Sequence, residues 1–363
     1  MTSTRRANIF VIGPSLKLGG IERASSSIAN AFATQGHCIT YLALFPQEHF
    51  FSLNSEVQFY EPVNGLNKRK LNVLRTVLWV REHIKRDKPD VVLVFNFFYG
   101  AIVRVAVIGS KIPIFVSDRA SPKFKWIWYV NNFNKIVYSL FPPTGLIAQT
   151  NISAQKQIAF FKNRSKIKVI PNALMDIQLY PDNIRKRQIL AVGRLNDHLK
   201  GFDRLLEAFA KIKDQYWQLV FVGDDKDGCH LKKQALELNV LSRVLFLGKV
   251  MDMSMVYAQA GIFVIPSRSE GFPNALCEAM AAGLPCISYD FIAGPRDIIT
   301  DGHDGLIVEN GNSDGMAAAI DYLIENPKER DRLGGNALSI RDRLKLDVIG
   351  KDYLTFIMDG IHE

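Results

Sequence analysis

Apolar residues in this chain fall into short solid runs, separated by longer stretches in which they recur every three or four positions. Runs of about four to eight apolar, β-branched residues read as buried strands, and the periodic stretches read as helices with one face inward. In the first half the runs lie at 8–12, 38–45, 91–95, 114–117 and 145–149, with helical periodicity at 22–35, 69–87 and 152–162. Lys168-Val-Ile-Pro-Asn172 reads as a last strand ending in a turn. The alternation restarts with strands at 188–193, 218–223, 244–248, 262–266, 285–289 and 305–308. Helices near 203–213, 229–238, 253–260, 274–282, 294–299 and 313–325 separate them. Strand–helix alternation of this kind builds parallel sheets with crossover helices. The expectation is an α/β protein of two doubly wound, Rossmann-like domains, 1–172 and 188–340, facing each other across a cleft. Residues 173–187, with Pro181 and a basic cluster, read as the linker, and 341–363 as a C-terminal helix packing back on the first domain.

Charge sharpens this picture. The 363 residues carry a formal net charge of +9. Residues 1–172 hold 23 Lys+Arg against 8 Asp+Glu, whereas 173–363 hold 22 against 28. The first half therefore faces something anionic: nucleic acid, an anionic lipid surface or a phosphorylated acceptor. Hydrophobic residues make up 48% of the chain and charged ones 22%, which excludes a disordered chain. Cys38, Cys229, Cys277 and Cys286 stand far apart, with no metal-ligand spacing, and read as reduced core thiols. No secretory signal is legible, and no apolar run reaches the length of a membrane span. The expected location is cytoplasmic.

Three loops could carry chemistry. The first strand runs into Gly13-Pro-Ser-Leu-Lys-Leu-Gly-Gly20 and then a helix, where bare N–H groups and a positive helix end suit a phosphate. The spacing is not that of the dinucleotide fingerprint, and a tight turn that binds nothing is the plain alternative. The second unit opens with Val192-Gly-Arg-Leu195, and Lys200-Gly201 follows. Arg194 and Lys200, each beside a glycine, could together hold a diphosphate and neutralise a phosphate leaving group. The densest segment is Pro266-Ser-Arg-Ser-Glu-Gly-Phe-Pro-Asn-Ala-Leu-Cys-Glu-Ala-Met-Ala-Ala-Gly-Leu-Pro285, in which Pro273 suits the first turn of a helix and Glu270 and Glu278 stand eight residues apart. Its two carboxylates, one on the loop and one on the helix, can take sugar hydroxyls. A paired-carboxylate glycosidase stays open at this point, because carboxyl separation is not readable from sequence.

Taken in order, Gly19-Gly20-Ile-Glu-Arg23, Val192-Gly-Arg-Leu195, Lys200-Gly201, the 270–278 segment and Gly294-Pro-Arg-Asp-Ile-Ile-Thr-Asp-Gly-His-Asp-Gly-Leu-Ile-Val308 resemble glycosyltransferase family 4. The similarity spans the whole chain and is greatest to bacterial enzymes that build lipid-linked oligosaccharides and surface polysaccharides. It implies a GT-B architecture, retention of anomeric configuration, and metal-independent chemistry without a cofactor. By position, Arg194 and Lys200 would bind the donor diphosphate, with Gly20 approaching it. Glu270 and the backbone of Gly271, Phe272 and Pro273 would hold the donor sugar. Glu278 would bind the ribose, Val250 would lie by the base, and Asn274, Ala275 and Leu276 would start the helix beneath the diphosphate. One departure concerns Ser117-Asp-Arg-Ala-Ser-Pro122. Arg119 stands where many members place a histidine beside the reacting carbon. Arginine cannot act as a base at neutral pH, so Asp118 is the titratable neighbour and Arg119 a candidate electrostatic grip.

Other features read more plainly. Asp224-Asp-Lys-Asp227 is expected as a solvated turn, no histidines pair at metal-binding spacing, and Ser25-Ser-Ser27 lacks a histidine partner. The basic stretch Lys68–Lys88 and the interleaved Lys123-Phe-Lys-Trp-Ile-Trp-Tyr-Val-Asn-Asn-Phe-Asn-Lys135 suit the interface of an anionic leaflet. The expected partners are thus a nucleotide sugar, most simply a UDP-hexose or UDP-N-acetylhexosamine, a polyprenyl-diphosphate-linked glycan, and the cytoplasmic membrane face. A sugar-nucleotide epimerase of the same fold is the competing enzyme class. A nucleic-acid module is disfavoured because no recognised motif accompanies the charge, and a dehydrogenase because the fingerprint is missing.

Overall fold

A computed structural model describes residues 6–62, 73–224, 229–292 and 294–360. Lys68, Arg69, Lys70 and Leu71 of the basic stretch, and 225–227 of the acidic turn, lie outside the described residues. The chain forms two compact units, residues 1–173 with 345–363, and residues 174–344.

The first unit is wound on a parallel sheet. Its elements run β1 (Asn8–Gly13), α1 (Gly20–Thr34), β2 (Cys38–Ala43), β3 (Gln58–Tyr60), α2 (Val73–Asp87), β4 (Val91–Phe95), α3 (Phe97–Ala106), β5 (Ile114–Ser117), α4 (Trp128–Leu140), β6 (Gly145–Ala148), α5 (Asn151–Phe161) and β7 (Lys166–Val169). The strand order is β3-β2-β1-β4-β5-β6-β7, with β1 and β4 side by side where the winding reverses. β4 is Val-Val-Leu-Val-Phe with every side chain buried, as a central parallel strand covered on both faces requires.

Three of these elements were not expected from sequence. β3 is a three-residue edge strand. α3 is short and mostly apolar, with Arg104 its one charged residue; the Asn96 side chain starts it by accepting from the Phe98 amide at 2.9 Å. α4 begins inside the segment read as an interleaved basic and aromatic run.

The second unit runs β8 (Gln188–Val192), α6 (Phe202–Phe209), β9 (Gln218–Val222), α7 (Cys229–Glu237), β10 (Val244–Phe246), α8 (Ser254–Gln259), β11 (Ile262–Ile265), α9 (Asn274–Ala281), β12 (Cys286–Tyr289), α10 (Pro295–Ile298), β13 (Leu306–Val308), α11 (Ser313–Glu325), α12 (Pro327–Ala337) and α13 (Ile340–Arg343). Its parallel sheet has the order β10-β9-β8-β11-β12-β13, and the winding reverses between β8 and β11. Residues 174–187 contain no helix or strand and are bonded along this unit. Gln178 N–H donates to Ser254 Oγ at 3.2 Å and Asn183 Nδ2 to the Ala258 carbonyl at 2.9 Å. The Arg185 guanidinium reaches the carbonyls of Ala260, Ala282 and Gly283 at 3.0–3.1 Å, satisfying acceptors left open at the ends of α8 and α9.

The last helix, α14 (Leu346–Asp359), belongs to the first unit. It lies on α1, where Gly350 lets the backbone come close to Ala31. Phe356 meets Phe115 of β5 with ring centroids 5.2 Å apart.

Candidate functional site

In doubly wound sheets ligands bind off the carboxyl ends of the strands where the winding reverses. In the second unit that point lies between β8 and β11, and the expected donor residues follow those two strands. Lys200 ends a one-turn helix, His198–Lys200, after β8. Its ammonium donates to both oxygens of Glu270, at 2.8 and 3.1 Å. Ser267, just beyond β11, donates its hydroxyl to Glu270 Oε1 at 2.6 Å. The pair is largely shielded, the side chains being 22% and 11% exposed. A carboxylate has about four acceptor positions, so Glu270 is oriented by three bonds and keeps one position for a further donor.

The turn that delivers Lys200 depends on Gly201. Its φ is +68°, and a side chain there would run into the Pro266 carbonyl. Only glycine combines the left-handed conformation with that approach. A second clamp holds the same two loops. Arg268 grips Asp203 with two parallel bonds, at 2.7 and 2.5 Å, and reaches the His198 carbonyl at 2.9 Å. Burial works against the Asp203 carboxylate, but the Arg268 fork outweighs it and holds Asp203 below the ordinary carboxylate range.

Arg194 stands differently. It is 73% exposed and donates to Asp197 at 2.6 Å. An exposed pair of this kind adds about 0–1 kcal/mol and is easily broken. Arg194 can therefore swing onto an anion at little cost.

Gly271, Phe272 and Pro273 lead into α9, which starts at Asn274 without a side-chain cap. Its first turn includes Ala275 and Leu276; the Asn274 N–H donates to the Phe272 carbonyl at 3.0 Å, and the Leu276 N–H to the Pro273 carbonyl at 3.0 Å. Glu278, further along α9, accepts from the buried Tyr257 hydroxyl at 3.0 Å. Val250 follows β10. Sequence reasoning missed Ser267, Arg268, Asp203 and Tyr257; the first two stood inside the segment it singled out.

In the first unit, Gly20 opens α1 in the exposed position after β1, and a side chain there would meet nothing. Packing within the unit does not call for glycine at this place. Asp118 and Arg119 follow β5. Asp118 accepts from the Ala120 amide at 3.1 Å and Gln157 Nε2 at 3.4 Å, and burial pushes its carboxyl above the ordinary value. Arg119 donates to Asn172 Oδ1 and the Tyr353 hydroxyl, and its guanidinium lies over the Phe95 ring, 5.1 Å from the centroid. Tyr353, on α14, bonds in turn with Ser117 Oγ at 2.9 Å. Arg119 thus ties the end of β5 to the tail helix. Among the described residues no group of three His, Cys, Asp or Glu could hold a metal ion, and no helix is long and apolar enough to cross a membrane.

Comparisons with known proteins bear on the family and the fold. Residues 18–174 match the family model described as Glycosyltransferase Family 4, and residues 180–339 the model for Glycosyl transferases group 1. An uncharacterized glycosyltransferase of Haemophilus influenzae is 26% identical over 85% of this chain and 88% of its own length. A Campylobacter jejuni protein is 25% identical over 96% of this chain and 98% of its own. It is named GalNAc-alpha-(1->4)-GalNAc-alpha-(1->3)-diNAcBac-PP-undecaprenol alpha-1,4-N-acetyl-D-galactosaminyltransferase. Among solved structures, sucrose-phosphate synthase of Thermosynechococcus elongatus superposes with a TM-score of 0.82 at 17% identity, covering 98% of this chain and 99% of that one. Anabaena HepE in complex with UDP gives 0.77 at 19%, covering 97% and 100%. The chain belongs to the glycosyltransferases, a family 4 domain followed by a group 1 domain on the GT-B fold.

Proposed function

We propose that the chain moves a hexose or N-acetylhexosamine from a nucleotide diphosphate, with UDP the first choice, onto a polyprenyl-diphosphate-linked glycan, retaining the anomeric configuration. The observation that carries this reading is the Lys200–Glu270 pair on the loops that follow the adjacent strands β8 and β11. A sugar leaving a diphosphate needs positive charge where the phosphate oxygen develops its negative charge. Lys200, the exposed Arg194 and the positive end of the α9 dipole supply it without a metal. Glu270, held by Lys200 and Ser267, has one acceptor position for a donor-sugar hydroxyl, and Glu278 would take the ribose.

UDP is favoured because Anabaena HepE, of the same fold, was solved in complex with UDP and with UDP-glucose. The acceptor class is favoured by the Campylobacter jejuni relatives, two of which carry a diphospho-undecaprenol glycan in their names. The α4 surface supports docking on an anionic leaflet, which would make the protein peripheral on the cytoplasmic face of the membrane. Trp128 is 73% exposed and Ile127 60%, with Lys123, Lys125 and Lys135 exposed around them.

The test is a panel of sugar nucleotides, following UDP or GDP release with and without lipid-linked acceptor, and NMR of the new linkage. Release of free nucleotide that no glycan acceptor accelerates, or a product of inverted configuration, counts against the reading.

A further inference from the structure

Tyr257 carries a hydroxyl that its place in the core does not call for. The residue lies on α8 and is fully buried, its ring meeting Phe263 of β11 with centroids 6.1 Å apart. Its amide donates to the Met253 carbonyl at 2.9 Å, and its own carbonyl accepts from Arg185 at 3.4 Å. Phenylalanine would serve the packing, and a buried hydroxyl costs stability unless it finds a partner. The partner is the Glu278 carboxylate, to which the hydroxyl donates at Oε2, 3.0 Å away.

Glu278 is itself out of keeping with its helix. It is half-buried, whereas Leu276, Cys277, Ala279 and Met280 beside it in α9 are buried. As the fifth residue of α9 it lies past the first turn, where the positive helix end no longer favours an acid. Neither packing nor the helix dipole calls for a carboxylate there. A glutamate side chain has three torsions, and fixing them on binding weakens affinity. A charge-assisted bond from a hydroxyl held in the core fixes them beforehand. A carboxylate has about four acceptor positions, so this bond does not exhaust it. An oriented carboxylate of this kind selects a pair of neighbouring hydroxyls, both donors, and repels phosphate.

We propose that Tyr257 is a positioning residue for the nucleoside: its buried hydroxyl holds Glu278 in the rotamer that accepts from the ribose hydroxyls of the donor. The proposal rests on the reading above that Glu278 takes the ribose. Every residue in it belongs to the second unit, so the effect is on donor binding and not on the acceptor.

The test uses the full-length protein, with UDP and 2′,3′-dideoxy-UDP as probes in calorimetry. Wild type, Tyr257→Phe, Tyr257→Met, Glu278→Ala and the double variant Tyr257→Phe with Glu278→Ala are compared. Methionine fills a core gap without a hydroxyl, so it keeps the test open if Tyr257→Phe does not fold. Expected is UDP affinity lowered about three- to tenfold in both Tyr257 variants, the range that one net hydrogen bond covers. Dideoxy-UDP affinity should stay at the wild-type value, and Tyr257→Phe should change nothing further once Glu278 is alanine. Donor KM should rise with kcat unchanged, as for a loss of uniform binding. Folded Tyr257 variants that keep wild-type UDP affinity overturn the proposal. Equal losses for UDP and dideoxy-UDP overturn it too, because the hydroxyl then only ties α8 to α9. A wild type that binds both probes equally overturns the ribose reading of Glu278, and this proposal with it.

Discussion

The ammonium of Lys200 lies 2.8 and 3.1 Å from the two oxygens of the Glu270 carboxylate, although 70 residues separate them in the chain. The sheet creates this neighbourhood, because β8 and β11 are adjacent and each leads into the loop that carries one of the two residues. Removing Lys200 therefore has two consequences. Lys200→Ala is expected to lower turnover at saturating donor by about 10²–10³, the usual loss for one group stabilising developing negative charge. It also leaves the Glu270 carboxylate short of a partner, at about 1–3 kcal/mol of folding stability. Arg194→Ala should cost activity but leave stability within about 0.5 kcal/mol, since its side chain stands in solvent. Turnover assays alongside urea unfolding separate the two effects. Near-wild-type turnover in both variants would sink the diphosphate assignment.

Gly201→Ala tests the turn itself. The substitution forces a side chain to φ +68° and against the Pro266 carbonyl. Expected is a loss of about 1–3 kcal/mol in stability with a matching loss of donor affinity, because the Lys200 turn must move. Unfolding midpoints and UDP titration check it; an unchanged midpoint would show that the turn has slack.

Much of the second unit could be read from the sequence because its strands are buried apolar runs set off by glycine, proline or polar turns, as at Ile262–Ile265 before Pro266. Lys200 and Glu270 could each be singled out from the sequence too. Their bond to each other was not, because strand adjacency is a tertiary fact. Arg268 and Asp203 escaped for the same reason: a fork that spans two loops leaves no periodic trace. Arg119 is the sharpest case. Its position after β5 suggested a role at the reacting carbon, while its partner Tyr353 stands 234 residues further along, on α14. α3 was hidden differently, since it is only ten mostly apolar residues that follow directly on the apolar run of β4.

Asp118 makes stability depend on pH. Burial raises its carboxyl pKa in the folded state, so ionised Asp118 opposes folding at neutral pH. That penalty fades as pH falls through the raised folded value and is gone below the ordinary carboxyl range. Asp118→Asn keeps an acceptor for the Ala120 amide, and Gln157 can turn its open Oε1 toward the new amide. The variant should be more stable than the wild type near pH 7, with the gap closing toward about pH 4. Urea unfolding at both values measures it, and a gap that does not change with pH contradicts the account.

In the proposed donor site positive charge would come from side chains and a helix end, so transfer is expected not to require a divalent ion. Activity in EDTA is expected to match that in Mg²⁺. Complete loss in EDTA with recovery on Mg²⁺ or Mn²⁺ would place a metal in the reaction.

Docking on a membrane can be tested through α4. Its outer face carries Trp128, Tyr129, Ile136 and Leu140, with Lys123 and Lys125 just before it and Lys135 within it, all exposed. α3 packs between α4 and α2, and α2 exposes Leu74 and Leu78. Apolar residues exposed on this scale need a covering surface, and a lipid interface accepts both the rings and the lysines. The electrostatic part should weaken with salt, since the screening length falls from ~10 Å at 0.1 M to ~3 Å at 1 M. At about 1 kcal/mol per cation near an anionic leaflet, reversing Lys123, Lys125 and Lys135 to glutamate should weaken vesicle binding on the order of a hundredfold or more at low salt. Trp128→Ser should remove the binding that persists at high salt, because that part depends on buried apolar area rather than charge. UDP binding should stay the same in all these variants, since the donor residues belong to the other unit. Sedimentation with anionic and neutral vesicles at both salt concentrations reads each contribution separately. If the wild type stays in the supernatant at low salt, the α4 face does not meet a membrane, and the charge of the first unit must serve a soluble anionic acceptor.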